Sequence, residues 1–208
     1  FSMARADVEI HREGEPTISF TNERGVIEAP DGVQILPYFK DRDGWFIVLV
    51  EQFRIALPGQ TTEACSGGTN PLHLFGRMLE EGRPSSKEAF NRELVFEITK
   101  TMERELEEEI GGISLKNCGD IEVVSCELIQ PSMMAAKMWG GIVEIQKDDL
   151  PKEALLGEWS ETEYTVATVK PLVETLKLRD AMETHFDFGT SRLLDEVAKK
   201  VGLLVKKY

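Results

Sequence analysis

Cysteine is scarce in this chain, and its arrangement excludes two common structural uses. The 208 residues include only Cys65, Cys118 and Cys126. The number is odd and the spacing matches no metal-binding pattern, so neither a disulfide framework nor a cysteine zinc site is predicted. A reducing, cytoplasmic setting is expected. Cys65 is interpreted as a small, buried, inert thiol rather than a nucleophile, because no histidine accompanies it in the sequence.

Long apolar runs and positive charge are also in short supply. No stretch approaches the roughly 18 apolar residues that a membrane helix needs, so no membrane partner is expected. Lysine and arginine total 24 against 37 acidic residues, and the formal net charge is −13. No basic face suits a nucleic acid, so none is expected as a partner. Because such a chain repels phosphorylated substrates at long range, phosphate chemistry here needs a local metal, a few arginines, or both.

The segments that are present alternate between β-rich and helical patterns. The run Trp45–Glu51 is nearly all apolar and predicts a strand buried on both faces, after a tight turn at Asp41–Gly44. The Gly-, Thr- and Ser-rich stretch Leu57–Asn70 is predicted to be loop. Further strands are expected at Asp7–His11, Thr17–Thr21, Val33–Lys40, Asp120–Leu128, Met138–Gln146 and Tyr164–Val169, and helices at Leu72–Glu80, Pro171–Leu176 and Thr190–Val201. Antiparallel strands mixed with a few helices indicate an α+β fold.

The most informative segment is predicted to be helical from Lys87 to Ile110, either as one long helix or as two helices joined by a kink. Ser85 or Ser86 is expected to cap its start, and Gly111-Gly112 to end it. Because each helical residue turns roughly 100°, three glutamates fall on one arc: Glu105, Glu108 and Glu109. A separate apolar stripe of Met102, Leu106 and Ile110 can anchor the helix on a sheet, and Arg104 lies one turn before Glu108 and can orient it. Clustered carboxylates suit a hard cation such as Mg²⁺, although a Glu-rich helix is often only a solvated face.

The order of residues in this helix resembles the second half of the Nudix box. That half reads Arg-Glu-apolar-any-Glu-Glu-any-Gly, and the matching residues in order are Arg104, Glu105, Leu106, Glu108, Glu109 and Gly111. The resemblance implies that Glu105, Glu108 and Glu109 are metal ligands. It also implies a Nudix-type α/β/α sandwich with mixed sheets and an N-terminal antiparallel β subdomain over 3–40, followed by the Nudix domain over 41–208.

Two upstream motifs extend the resemblance to the ADP-ribose pyrophosphatase branch. Glu51-Gln52-Phe53-Arg54 and Glu63-Ala64-Cys65-Ser66-Gly67-Gly68 look like the strand end and the glycine loop that precede the box. The resemblance implies substrate contacts for Arg54, Gln52 and Glu63, and a metal-binding carbonyl from Ser66 or Gly67. A surface arginine and a plain glycine turn are the alternatives.

The chain departs from the family pattern at several places. Fifteen residues separate Glu88 from Arg104 where the family has seven, which indicates an insertion around 69–100. Ser132 is present in the Gln130–Lys137 stretch, but the glutamate that the family has there is absent. The general base is expected in the acidic loop 156–163, with Glu161 the first choice and Glu158 the second; Glu105 is the remaining catalytic candidate.

The function implied by the resemblance is Mg²⁺-dependent hydrolysis of a nucleoside diphosphate sugar, with ADP-ribose favoured. Mn²⁺ is the alternative metal, the products are a nucleoside monophosphate and a sugar phosphate, and a homodimer is expected. Two other classes stay open at this point. One is a Nudix-fold module that binds nucleotide sugars without hydrolysing them. The other is an acidic scaffold protein with no small-molecule site.

Overall fold

The computed structural model describes ten stretches of the chain. They are residues 2–10, 18–26, 31–53, 60–69, 86–111, 113, 119–129, 136–152, 165–181 and 186–203. The predicted helix Leu72–Glu80 lies outside them. Among the described helices, none is long and apolar enough to cross a membrane.

The N-terminal strands form a two-stranded antiparallel sheet of their own. Strand β1 is Ser2–Ile10 and β2 is Ile18–Val26, and their register runs from Ser2 opposite Val26 to Ile10 opposite Ile18. Both strands are longer than the sequence predicted, and they are antiparallel as expected. The division of the chain into 3–40 and 41–208 stays a prediction.

The remaining strands form one seven-stranded mixed sheet. They are β3 (Gly32–Asp41), β4 (Gly44–Phe53), β5 (Gln60–Glu63), β6 (Cys65–Gly68), β7 (Glu122–Ile129), β8 (Ala136–Glu144) and β9 (Val166–Pro171). Strands β3 and β8 are parallel, whereas the other pairs are antiparallel. The predicted turn at Asp41–Gly44 joins β3 to β4, and Gly44 has a φ of 132° there, which a side chain would disfavour.

Strands β3 and β4 separate from each other as they leave this turn, and the chain 60–68 fills the gap. They pair directly only from Tyr38 opposite Ile47 to the turn. Beyond that point β4 pairs with β5, and β3 pairs with β6. The prediction of loop over Leu57–Asn70 was therefore wrong for 60–63 and 65–68. Glycine and threonine there are in strands because the open edges of β3 and β4 offer backbone hydrogen-bond partners, and this tertiary context overrides local propensity.

In the described stretches, three α-helices cover the sheet. Helix α1 is Lys87–Glu109, α2 is Leu172–Asp180 and α3 is Phe188–Lys200. Of the two predicted alternatives, the structure shows one long helix rather than two joined by a kink. Ser86 caps it by accepting a hydrogen bond from the Ala89 N–H at 3.1 Å, and Gly111 follows its end with a φ of 81°. Glycine at that position takes the left-handed conformation without strain.

Two apolar clusters, one on each face of the sheet, hold the layers together. Alternate residues of β4 face opposite sides, so Val48 and Val50 pack with α1, whereas Ile47 and Leu49 pack with α2 and α3. All four are fully buried, as the apolar run predicted. The predicted stripe of Met102, Leu106 and Ile110 lies in the α1 cluster. The architecture is therefore an α/β/α sandwich around a mixed sheet, which confirms the predicted fold class.

Candidate functional site

The last turns of α1 carry the three predicted glutamates at two different depths. Glu105 and Glu109 are only 6% and 5% exposed, although they are charged side chains. The side chain of Glu108 is 43% exposed. Glu107 is exposed on the opposite side, as the helical arc predicted. Two carboxylates one turn apart thus point into the protein, and the third lies at the rim.

Strand β6 forms the wall opposite these carboxylates. The backbone N–H of Ser66 donates a hydrogen bond to Glu109 Oε2 at 2.8 Å. A Cβ added to Gly67 would overlap the carboxylate of Glu105. A side chain at position 67 would therefore displace the Glu105 carboxylate from its present position against the strand backbone. The structure brings four of the predicted metal-site residues together: Ser66, Gly67, Glu105 and Glu109.

Arg104 connects the glutamates to the glycine strand. Its guanidinium donates to Glu105 and to the Gly68 carbonyl, the latter at 3.1 Å, and its Nε lies 3.7 Å from Glu108 Oε2. The predicted pairing of Arg104 with Glu108 is thus present, and the contact with Gly68 is additional. The hydrogen bond with Glu105 raises the pKa of Arg104. Arg104 is therefore a permanent positive charge beside the carboxylates.

Cys65 lies behind the same carboxylates. It is fully buried, and this burial, followed by the charge of Glu109, raises the pKa of its thiol well above the ordinary value of 9.0. A protonated thiol without solvent access is a poor nucleophile. The structure supports the interpretation of Cys65 as an inert core residue. Cys126 is exposed, and Cys118 lies outside the described residues.

Glu63 is the last residue of β5, and only Ala64 separates it from the start of β6. It is 8% exposed, and its Oε1 accepts a hydrogen bond from Thr61 Oγ1 at 2.7 Å. Gln52 is on β4, opposite Thr61 in the ladder. The chain segment that carries Glu63 is therefore continuous with the wall of the carboxylate site. Arg54, Glu158, Glu161 and Ser132 lie outside the described residues, so their predicted roles stay predictions.

The described side chains do not form a complete set of converging metal ligands. Within these parts of the chain, no group of three or more His, Cys, Asp and Glu side chains converges as a metal-binding set. The donor types nevertheless suit a hard divalent cation: carboxylates of Glu105 and Glu109, the rim carboxylate of Glu108, and the backbone of Ser66 and Gly67.

Sequence reasoning missed two contacts at this site. Thr61 and Glu63 are two residues apart on one strand, so their side chains lie on the same face of the sheet. Recognising β5 as a strand would therefore have placed these two side chains within reach of each other. No sequence signal points to the contact between Arg104 and the Gly68 carbonyl, because those residues are 36 positions apart.

Comparisons with known proteins add one structural similarity. No protein-family model and no curated protein matches the sequence. Among solved structures, the chain is similar to the crystal structure of an ADP compounds hydrolase, with 18% sequence identity and a TM-score of 0.47. The match covers 97% of this chain and 89% of the other. A similarity of this size does not establish a shared activity.

Proposed function

We propose that this chain is a Mg²⁺-dependent hydrolase of the pyrophosphate bond in nucleoside diphosphate sugars, with ADP-ribose favoured. One observation carries the proposal: two buried carboxylates on α1, Glu105 and Glu109, face the backbone of a glycine strand across a gap too narrow for a side chain at Gly67. Buried carboxylates are costly unless positive charge compensates them. Arg104 supplies one such charge, and a divalent cation would add to it.

The residues that would hold the cation are those at this wall. Glu105, Glu108 and Glu109 would provide carboxylate oxygens, and a carbonyl of Ser66 or Gly67 would provide a further ligand. Mg²⁺ is favoured because all of these donors are hard oxygens, and Mn²⁺ accepts the same set. When bound, the metal neutralises charge on the phosphates and provides an activated water. In a chain of net charge −13, that local positive charge is what permits a diphosphate to approach.

Other residues of the chain would bind the substrate and accept a proton from the attacking water. Glu63 has the position expected of a substrate contact, because it is buried directly beside the glycine strand. Gln52 and Arg54 are proposed to contact the substrate with it. Glu161, or otherwise Glu158, is proposed to accept a proton from the attacking water, with Glu105 the remaining candidate. The homodimer is likewise a proposal, which sedimentation equilibrium would test.

An assay with three substrates tests the activity. ADP-ribose, GDP-mannose and UDP-glucose are incubated with the protein and Mg²⁺, and nucleoside monophosphate and sugar phosphate are quantified. Hydrolysis of at least one, with ADP-ribose fastest, is the expected result. Absence of turnover with all three substrates, in Mg²⁺ and in Mn²⁺, would reject the proposal.

A matched pair of variants tests the carboxylate assignment. Glu109→Gln keeps the size of the side chain and an acceptor for the Ser66 N–H, but removes the charge. It is expected to lower turnover by at least about 100-fold, because loss of a metal ligand should cost no less than the largest effects of changing the residues that support a ligand. Glu107→Gln removes the same charge from the exposed face of the same helix and is expected to leave turnover unchanged. Equal activity of the two variants would show that Glu109 holds no metal.

A nucleotide-sugar binding module without hydrolysis is the second candidate. The contact between Arg104 and Glu105 favours it, because an arginine already compensates one of the buried charges. Isothermal titration calorimetry with the same three compounds separates the two proposals. Heat of binding without product formation supports the module, whereas binding with turnover supports the enzyme.

A further inference from the structure

The chain makes a sharp corner at Ala64, between the two short strands of the carboxylate site. Strand β5 runs toward the β3–β4 turn along β4, ending with Glu63 opposite Val50. Strand β6 runs away from that turn along β3, beginning with Cys65 opposite Ile35. The chain therefore reverses its direction at the single residue Ala64. The position of Ala64 therefore determines where Glu63 lies before it. It also determines where Ser66 and Gly67 lie after it.

The backbone N–H of Ala64 has its hydrogen bond outside the sheet. Ala64 is fully buried, and its N–H donates to Thr190 Oγ1 at 2.9 Å. A buried N–H without an acceptor is energetically unfavourable, so a corner at this position needs such a partner. Thr190 is also fully buried and belongs to the first turn of α3. The acceptor thus comes from the face of the sheet opposite to α1.

The first turn of α3 is itself held against β3. Asp187 Oδ1 accepts from the Thr190 N–H at 2.7 Å, and Asp187 Oδ2 accepts from Gln34 Nε2 at 2.5 Å. Gln34 is buried and lies opposite Ser66 in the β3–β6 ladder. A Cβ at Gly189 would overlap the Gln34 amide, so the helix and the strand are in close contact there. Thr190 is therefore fixed relative to the same strand that holds Ser66.

We propose that Thr190 is a positioning residue for the carboxylate site, because its hydroxyl fixes the Ala64 corner and thereby holds Ser66 and Gly67 against Glu109 and Glu105. This inference rests on the proposed function for its catalytic consequence. Its structural part stands on the hydrogen bonds from Thr190 to Ala64 and from Ser66 to Glu109. Thr190 would act on the carboxylates through the corner, by way of its hydrogen bond with the Ala64 N–H.

Three variants isolate the hydroxyl. Thr190→Val keeps the shape of the side chain and removes the acceptor, whereas Thr190→Ser keeps the acceptor and removes a methyl group. Thr175→Val is the matched control: Thr175 is 2% exposed, and its hydroxyl bonds to the Pro171 carbonyl within α2, away from the corner. A general loss of stability appears in both valine variants, but a loss of positioning appears only in Thr190→Val.

The first readout is nuclear magnetic resonance of backbone amides without metal or substrate. Thr190→Val is expected to speed hydrogen exchange at Ala64 by at least tenfold. It is also expected to move the Ser66 amide proton upfield, because its bond to Glu109 lengthens. Thr190→Ser should restore both values, and Thr175→Val should change neither. Unchanged exchange at Ala64 or an unmoved Ser66 resonance in Thr190→Val overturns the proposal.

The second readout is the affinity for Mn²⁺, measured by electron paramagnetic resonance, together with kcat and KM for ADP-ribose. Thr190→Val is expected to weaken Mn²⁺ binding about tenfold and to lower kcat more than it raises KM. Thr190→Ser should recover most of the loss. An equal loss in Thr175→Val shows a merely structural role and overturns the proposal. If the unmodified protein binds no Mn²⁺ and turns over nothing, the proposed function fails, while the amide measurements still decide whether Thr190 holds the corner.

Discussion

Glu105 and Glu109 are buried, although burial of a charged side chain is unfavourable. Neighbouring polar groups offset part of that cost. With exposures of 6% and 5%, both have lost most of their hydration. Arg104 bonds to Glu105, and the Ser66 N–H bonds to Glu109. Hydrogen bonds to ionised groups are among the stronger ones in proteins. Arg104 and the Ser66 N–H therefore each offset part of the cost of burying these carboxylates.

Gly67→Ala tests how closely the strand approaches the helix. Its added Cβ would overlap the Glu105 carboxylate, so either the strand or the glutamate must move. We expect the free energy of unfolding in urea to fall by about 1–3 kcal/mol, as for other overpacked sites. Gly119→Ala is the control, because a Cβ there meets the Glu144 carbonyl at an ordinary 3.6 Å. Equal stabilities of the two variants would contradict the close approach.

At the scale of elements, the ends of the helices were easier to predict than the short strands. The start of α1 at Ser86 and its end before Gly111 follow from local capping chemistry, and both are confirmed. The segments 60–63 and 65–68 are strands only because β3 and β4 diverge and leave edges to pair with. Four-residue segments rich in glycine, serine and threonine carry no periodicity strong enough to show this.

Two helix caps of the same type are expected to differ in their contribution to stability. Ser86 caps α1 at the surface by accepting from the Ala89 N–H, whereas Asp187 caps α3 and also accepts from the buried Gln34 amide. Ser86→Ala should lower the free energy of unfolding by about 1 kcal/mol. Asp187→Ala should lower it by about 2–3 kcal/mol, since a buried donor also loses its acceptor. Chemical denaturation measures both, and a smaller effect at Asp187 would refute the difference.

At the scale of the whole molecule, groups from several elements meet around Tyr38. Its ring packs with Trp45 in β4, at 5.9 Å between centroids. Burial is the main cause that raises the pKa of Tyr38 above the ordinary 10.0, and the charge of Glu144 on β8 adds to it. Lys200 of α3 acts in the opposite direction, and Glu122 of β7 raises the pKa further. The pKa of the Tyr38 phenol therefore depends on groups that are brought together only when the sandwich is folded.

The pH dependence of stability follows from this shift. The folded protein keeps the Tyr38 proton at a pH where the unfolded chain releases it, so the stabilisation is complete below pH 10.0 and is lost as the pH rises toward the folded pKa. Urea denaturation above pH 10 should therefore show a steeper loss of stability in the unmodified protein than in Tyr38→Phe, whose ring cannot titrate. Parallel pH profiles for the two proteins would contradict the shift.

The sequence by itself determined the features that depend on neighbouring residues. These are the glutamate arc and apolar stripe of α1, the apolar run of β4 that is buried on both faces, the turn at Asp41–Gly44 and the α+β class, because side-chain periodicity and backbone preferences act over a few residues. Only the tertiary structure decided how deep each glutamate lies, how 60–68 enters the sheet, and that Thr190 reaches Ala64 across 126 positions. Those features arise because distant layers pack together and must satisfy each other's buried polar groups, and no local pattern in the chain encodes that pairing.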